Sequence, residues 1–132
     1  MTYVLDTNTL IYFFRREGQV AKRLLVEPPS SIAIPSIVLY ELFTGIAKSI
    51  APREREEQLA SLLRVVTVLP FGIDEARATA RLRATLESRG TSIGALDTLI
   101  AGTTIAVRGT LVTRNLREFE RCEGLPLENW YD

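Results

Sequence analysis

Three carboxylates stand among apolar neighbours. Asp6 follows Val4-Leu5, Glu41 lies among Leu39, Leu42 and Phe43, and Asp97 sits within the stretch from Ile93 to Ile100. An ionised carboxylate in such surroundings is costly unless it is paired, hydrogen-bonded or bound to a cation. Each has a local explanation: Asp6 as a helix N-cap, Glu41 paired with a buried arginine, Asp97 at a helix N-terminus with the dipole. The other two aspartates, Asp74 and Asp132, have sufficient explanations as a helix N-cap and a solvated end.

The residue types available decide what a joint explanation would be. The chain has no histidine and a single cysteine, Cys122. Ser-His-Asp triads, Cys-His pairs, His-based proton transfer and His/Cys zinc sites are therefore excluded, and so is an internal disulfide. If the chain is an enzyme, carboxylates do the work. A cluster of them repels itself, raising its pKa values, unless a divalent cation neutralises it. Oxygen-only ligands suit Mg2+ or Mn2+, hard ions that favour phosphate substrates. With no histidine to move protons, the ion would have to acidify a bound water and stabilise charge developing on phosphate. That chemistry is phosphodiester hydrolysis.

The positioning elements are legible in outline. Thr2 to Leu5 is a short β-rich run stopping at Asp6-Thr7-Asn8, and Leu10 to Phe14 reads as a short helix. A second helix is expected at Val20 to Val26, then a strand Ile32 to Ile34 closed by Pro35, with Ser36 capping an apolar, buried helix from Ile37 to Lys48. Pro52 opens another helix, and Val65 to Leu69 is a β-branched third strand. A long helix follows from Asp74 to Ser88 with Ala76, Ala80, Leu82 and Leu86 inward. Ala95 to Val107 is a further apolar helix, Thr110 to Thr113 a fourth strand, and Asn115 caps a short helix through Phe119. Alternating strands and helices predict an α/β fold, a three-layer α/β/α arrangement with a mostly parallel central sheet of four to five strands. In such sheets ligands bind beyond the carboxyl ends of the strands, which brings Asp6, Glu41, Asp97 and Asn115 toward one rim.

Length and composition fit this reading. At 132 residues, 46% hydrophobic and 24% charged, the sequence predicts one globular domain spanning 1–132. No apolar run approaches the roughly 18 residues that cross a membrane, and a cytoplasmic location is expected. The formal net charge is zero, so no strong long-range field attracts nucleic acid. The basic residues are fourteen arginines against two lysines, Lys22 and Lys48, and arginine's planar fork matches phosphate.

These residues resemble the PIN-domain ribonucleases and, among them, the VapC-type toxins of toxin-antitoxin pairs. Leu5-Asp6-Thr7-Asn8 is similar to the family's first motif, and Ser36 with Tyr40-Glu41-Leu42 and Gly45 to its second. Ile93 through Ala101, centred on Asp97, resembles the third; Leu111 to Asn115, Glu118-Phe119, Gly124-Leu125 and Glu128-Asn129-Trp130 resemble the closing segment. The blocks run in order over residues 3 to 130. The resemblance implies a PIN-like fold and a Mg2+- or Mn2+-dependent endoribonuclease acting on tRNA or other structured RNA. It implies Asp6, Glu41 and Asp97 as metal ligands, a homodimer, and a cognate VapB-type antitoxin whose C-terminal segment lies across the active-site groove, in some cases as a higher hetero-oligomer.

Many PIN domains carry a fourth aspartate where this chain has Asn115, which brings an amide oxygen but no charge and is expected to orient water or substrate. Thr113 is placed to assist. Arg15, Arg16, Arg114 and Arg117 lie near motif residues, so the RNA is expected in a local arginine-rimmed groove. Without histidine pairs, the metal-free route through the neighbouring 2′-hydroxyl is disfavoured, and products with 5′-phosphate and 3′-hydroxyl ends are expected. A response-regulator receiver does not fit, because strand three ends in Pro70-Phe71 and the late position where a lysine is needed holds Arg114. The alternative from another class is a non-catalytic PIN-like binding or assembly module.

Overall fold

The computed structural model describes residues 1–132. Five short strands, β1 (Tyr3–Leu5), β2 (Ile32–Pro35), β3 (Thr67–Leu69), β4 (Thr110–Val112) and β5 (Leu127–Glu128), form one sheet in the order β3-β2-β1-β4-β5. Every pairing is parallel. Parallel neighbours need crossovers, and the helices supply them: α1 (Thr7–Arg15), α2 (Val20–Val26), α3 (Ser36–Ala47), α4 (Pro52–Leu63), α5 (Ile73–Ser88), α6 (Ala95–Ala106) and α7 (Leu116–Phe119). Successive side chains of a strand point to opposite faces, yet Val4 and Leu5, Ile32 through Pro35, and Thr110 through Val112 are all buried. Helices therefore cover both faces of the central strands, giving the three-layer architecture.

The register sets the site. Leu5 pairs with Val112, so β1 and β4 end level, and the Asp6 N–H donates to the Val112 carbonyl at 3.2 Å. Asp6 and Thr113 thus leave the sheet side by side. No helix is long and apolar enough to cross a membrane.

Several local expectations need correction. Ser36 lies inside α3 after Pro35 as N-cap, and its hydroxyl donates to the Leu69 carbonyl at 2.8 Å, tying α3 to the end of β3. That helix is not buried all round: Val38 and Leu42 face the core, while Tyr40 and Phe43 are exposed. On α5 the inward residues are Thr79, Leu82 and Leu86, whereas Ala76 and Ala80 face solvent. Asp74 is in the first turn rather than at the cap, which is Gly72, with Glu75 accepting the Gly72 N–H at 2.8 Å. β3 is a three-residue edge strand with exposed Thr67 and Val68.

Candidate active site

Asp6 is fixed by the strand-to-helix turn. Its extended backbone ends β1, and its Oδ1 accepts the Thr9 N–H at 2.9 Å, capping α1. The residue is buried, and burial raises its pKa, assisted weakly by the charge of Glu41; hydrogen bonds from Thr113 and the Thr9 backbone pull the other way. The capping role and a role in the rim are the same geometry, since the cap is what aims the carboxylate out of the sheet edge.

Glu41 comes from the middle of α3. Its Oε1 accepts the Thr7 hydroxyl at 2.7 Å, so the first residue of α1 holds it beside Asp6. The expected buried arginine partner is absent: the four ion pairs of the chain use Arg23, Arg83 and Arg89 with Glu27, Glu128, Glu87 and Glu123.

Asp97 lies in the first turn of α6. Its pKa is pushed up to about 7, first by burial, then by the charge and hydrogen bond of Glu118, then by Asp6 and Glu41. Asp97 thus feels Glu118 most strongly, and Asp6 and Glu41 after it.

Asn115 occupies the N-cap position of α7 without a side-chain capping bond. Its backbone N–H donates to Thr113 Oγ1 at 3.0 Å, and its Nδ2 donates to Glu118 Oε2 at 2.6 Å. The other Glu118 oxygen accepts the Gly94 N–H at 2.9 Å, tying α7 to the loop before α6. Glu118 is thus the fourth carboxylate, one helical turn beyond the amide. It was missed as a site residue because Arg117 and Glu120 give it the look of a solvated stretch; the i, i+3 spacing from Asn115 is the signal that points to it.

Asp6 and Asn115 line one shallow cavity of about 230 Å3 together with Asn8, Tyr12 and Arg114. No three acidic side chains close on a single point at ligating distance. The donor set nonetheless suits a hard cation: all oxygen, and no arginine or lysine pairs with Asp6, Glu41, Asp97 or Glu118. Mg2+ retains several waters and takes only one or two carboxylates directly, so a rim of spaced acids accommodates it. Among the arginines noted by position, Arg15, Arg16 and Arg117 are exposed without ion pairs, and Arg114 is stacked on tyrosine.

Comparison with known proteins agrees with this geometry. Residues 3–125 match the PIN domain family. The chain is 37% identical to ribonuclease VapC2 of Rickettsia felis and 34% identical to the tRNA(fMet)-specific endonuclease VapC of Salmonella typhimurium, each over 98% of both chains. Its fold superposes with a TM-score of 0.91 on a chain of the VapBC2 crystal structure from Rickettsia felis, bound to a DNA fragment from its promoter, at 36% identity and covering 98% of this chain and 99% of that one. The chain belongs to the PIN domain family and, within it, to the VapC group.

Proposed function

We propose that the chain is the toxin of a toxin-antitoxin pair, an endoribonuclease that hydrolyses RNA phosphodiester bonds at the acidic rim, with tRNA or other structured RNA as substrate. The observation that carries this reading is that Asp6, Glu41, Asp97 and Glu118 have no arginine or lysine partner, on a chain of the VapC group. Asp6, Glu41 and Asp97 would hold Mg2+ or Mn2+, and Asn115 would orient water or substrate. The bound ion would supply Lewis acidity toward phosphate and a more acidic water.

The chain's own residues account for the rest. The Thr9 N–H and the Thr7 hydroxyl hold Asp6 and Glu41 before substrate arrives, so little is reorganised in the reaction. Glu118 takes the NH2 of Asn115, leaving the amide oxygen for water or substrate. Hydrolysis forms a bond from water oxygen to phosphorus and breaks the bond to the 3′ oxygen, which takes the proton; the products carry 5′-phosphate and 3′-hydroxyl ends.

The partner is a VapB-type antitoxin, as in the VapBC complexes that the fold matches. A groove between α1, α3 and α4, lined by Ile11, Phe14, Leu42, Ile46 and Leu59, has Glu41 on its wall. An apolar helix seated there would reach the acidic rim and block it. A homodimer, and a higher assembly with the antitoxin, belong to the same proposal, as does a cytoplasmic location.

Growth tests the reading. Expression without antitoxin should arrest growth for the wild type and not for Asp6→Asn or Asp97→Asn proteins that remain folded. Equal effects of wild type and Asp6→Asn would favour a non-catalytic binding module.

A further inference from the structure

One arginine at the rim is held by aromatic rings. The Arg114 guanidinium carbon lies 3.6 Å from the Tyr131 ring centroid and 5.7 Å from that of Tyr12. The two rings meet edge to face, 4.7 Å apart at 70°. Three distant parts of the chain build this platform: α1, the segment between β4 and α7, and the C-terminal tail. The tail is anchored, since the Gln19 N–H donates to the Tyr131 carbonyl and the Tyr131 N–H to Asn129 Oδ1, both at 2.8 Å. Gly18, at φ 62°, leaves the space that Tyr131 fills; a Cβ there would fall 2.6–2.8 Å from Tyr131 atoms.

Arg114 and Tyr12 share their cavity with Asp6 and Asn115, and Arg114 is exposed and forms no ion pair. A guanidinium stacked on a ring has given up much of its rotamer freedom already; the Tyr12 hydroxyl engages one of its donors, and the rest of its in-plane edge lies on the exposed cavity. That edge matches two phosphate oxygens bidentately. The ring covers one face of the guanidinium, and the group's hydrogen-bonding surface is its edge, which takes phosphate. In a chain of zero net charge, substrate must be caught by such local contacts.

We infer that Arg114, held on the Tyr12–Tyr131 platform, is a substrate-positioning residue whose guanidinium fork binds an RNA backbone phosphate adjacent to the scissile one. The inference rests on the ribonuclease reading of the acidic rim.

The test compares Arg114→Ala, Arg114→Lys and Tyr131→Phe with the wild type in the full-length chain. Cleavage of bulk bacterial tRNA gives KM and kcat, and binding of a fluorescein-labelled RNA stem-loop in the Asp6→Asn background is measured across a salt series. Arg114→Ala should raise KM about tenfold with kcat within about twofold, and make the slope of log affinity against log salt shallower by about 0.7–0.9. Arg114→Lys should keep the salt slope yet lose affinity several-fold, because an ammonium cannot replace the fork. Tyr131→Phe keeps the ring and should behave as wild type. Arg114→Ala with an unchanged KM and salt slope, or with only a lowered Tm, would reduce the residue to a clamp on the tail and overturn the inference. Stem-loop binding that depends on Arg114 in a wild type that cuts no RNA in Mg2+ or Mn2+ would instead overturn the ribonuclease reading and leave this contact standing.

Discussion

Asp97 and Glu118 face each other across Gly94: a Cβ on that glycine would lie 3.5 Å from Asp97 Oδ2 and 3.7 Å from Glu118 Oε1. Two carboxylates so placed cannot both be charged without cost, and burial adds to the repulsion that pushes Asp97 up to about 7. The pair forms only when α6 and α7 come together, so its proton is a property of the assembled fold.

Stability of the metal-free chain should therefore fall as pH rises. The folded-state pKa of Asp97, about 7, is above its ordinary value of 3.8, so between these values the folded chain holds a proton that the unfolded chain has lost. The stabilisation is fully present below about pH 3.8 and is lost as pH rises through about 7. Asp6 shifts in the same direction. With solvent screening of a half-buried group included, the effect is about 1 kcal/mol, a Tm drop of roughly 3–5 °C between pH 5.5 and 8.5. Thermal denaturation in chelator checks this. Asp97→Asn should flatten the dependence, and excess Mg2+ should cancel it by displacing the proton. A Tm that rises with pH in chelator contradicts the assignment.

Glu118→Gln should separate repulsion from scaffolding. The amide oxygen can keep the Gly94 or the Asn115 hydrogen bond but not both, and the charge facing Asp97 is gone. The pH dependence of Tm should become shallower, while kcat falls about 10–100-fold because Asn115 and the ion's surroundings lose their support. Full activity with an unchanged pH profile would remove Glu118 from the site.

Thr7→Val tests the bond that holds Glu41. The substitution keeps the shape and deletes the 2.7 Å hydrogen bond to Oε1. Stability should change by about 1 kcal/mol, within the worth of one hydrogen bond to a charged group, and kcat should drop about tenfold as Glu41 loses its orientation. Metal titration by calorimetry should show weaker binding. Unchanged affinity and rate would mean that Glu41 is placed by α3 alone.

What was legible in the sequence follows a physical division. Asp6 could be placed because a β-run followed directly by an acid and a turn leaves a parallel sheet at its ligand-binding edge. Glu41 and Asp97 stood out because charge within apolar sequence needs a reason. Glu118 did not, because one of the two bonds that place it comes from Gly94, 24 residues earlier in the chain, and only its i, i+3 spacing from Asn115 is local. The face of α3 bearing Tyr40 and Phe43 misled for a related reason: hydropathy marks a surface that avoids water without saying whether the chain itself covers it. On α5 alanine fits either environment, so Ala76 and Ala80 carried little directional information. The two-residue strand β5 is too short for any period to show.

The central claim, hydrolysis by a cation held on the acidic rim, is tested most directly by mapping the ends of RNA fragments released by the purified chain in Mg2+ or Mn2+ and in excess chelator. The account predicts cleavage only with the ion, with 5′-phosphate and 3′-hydroxyl ends, and none from a folded Asp6→Asn variant. Cyclic phosphate ends, or full cleavage in chelator, would contradict it.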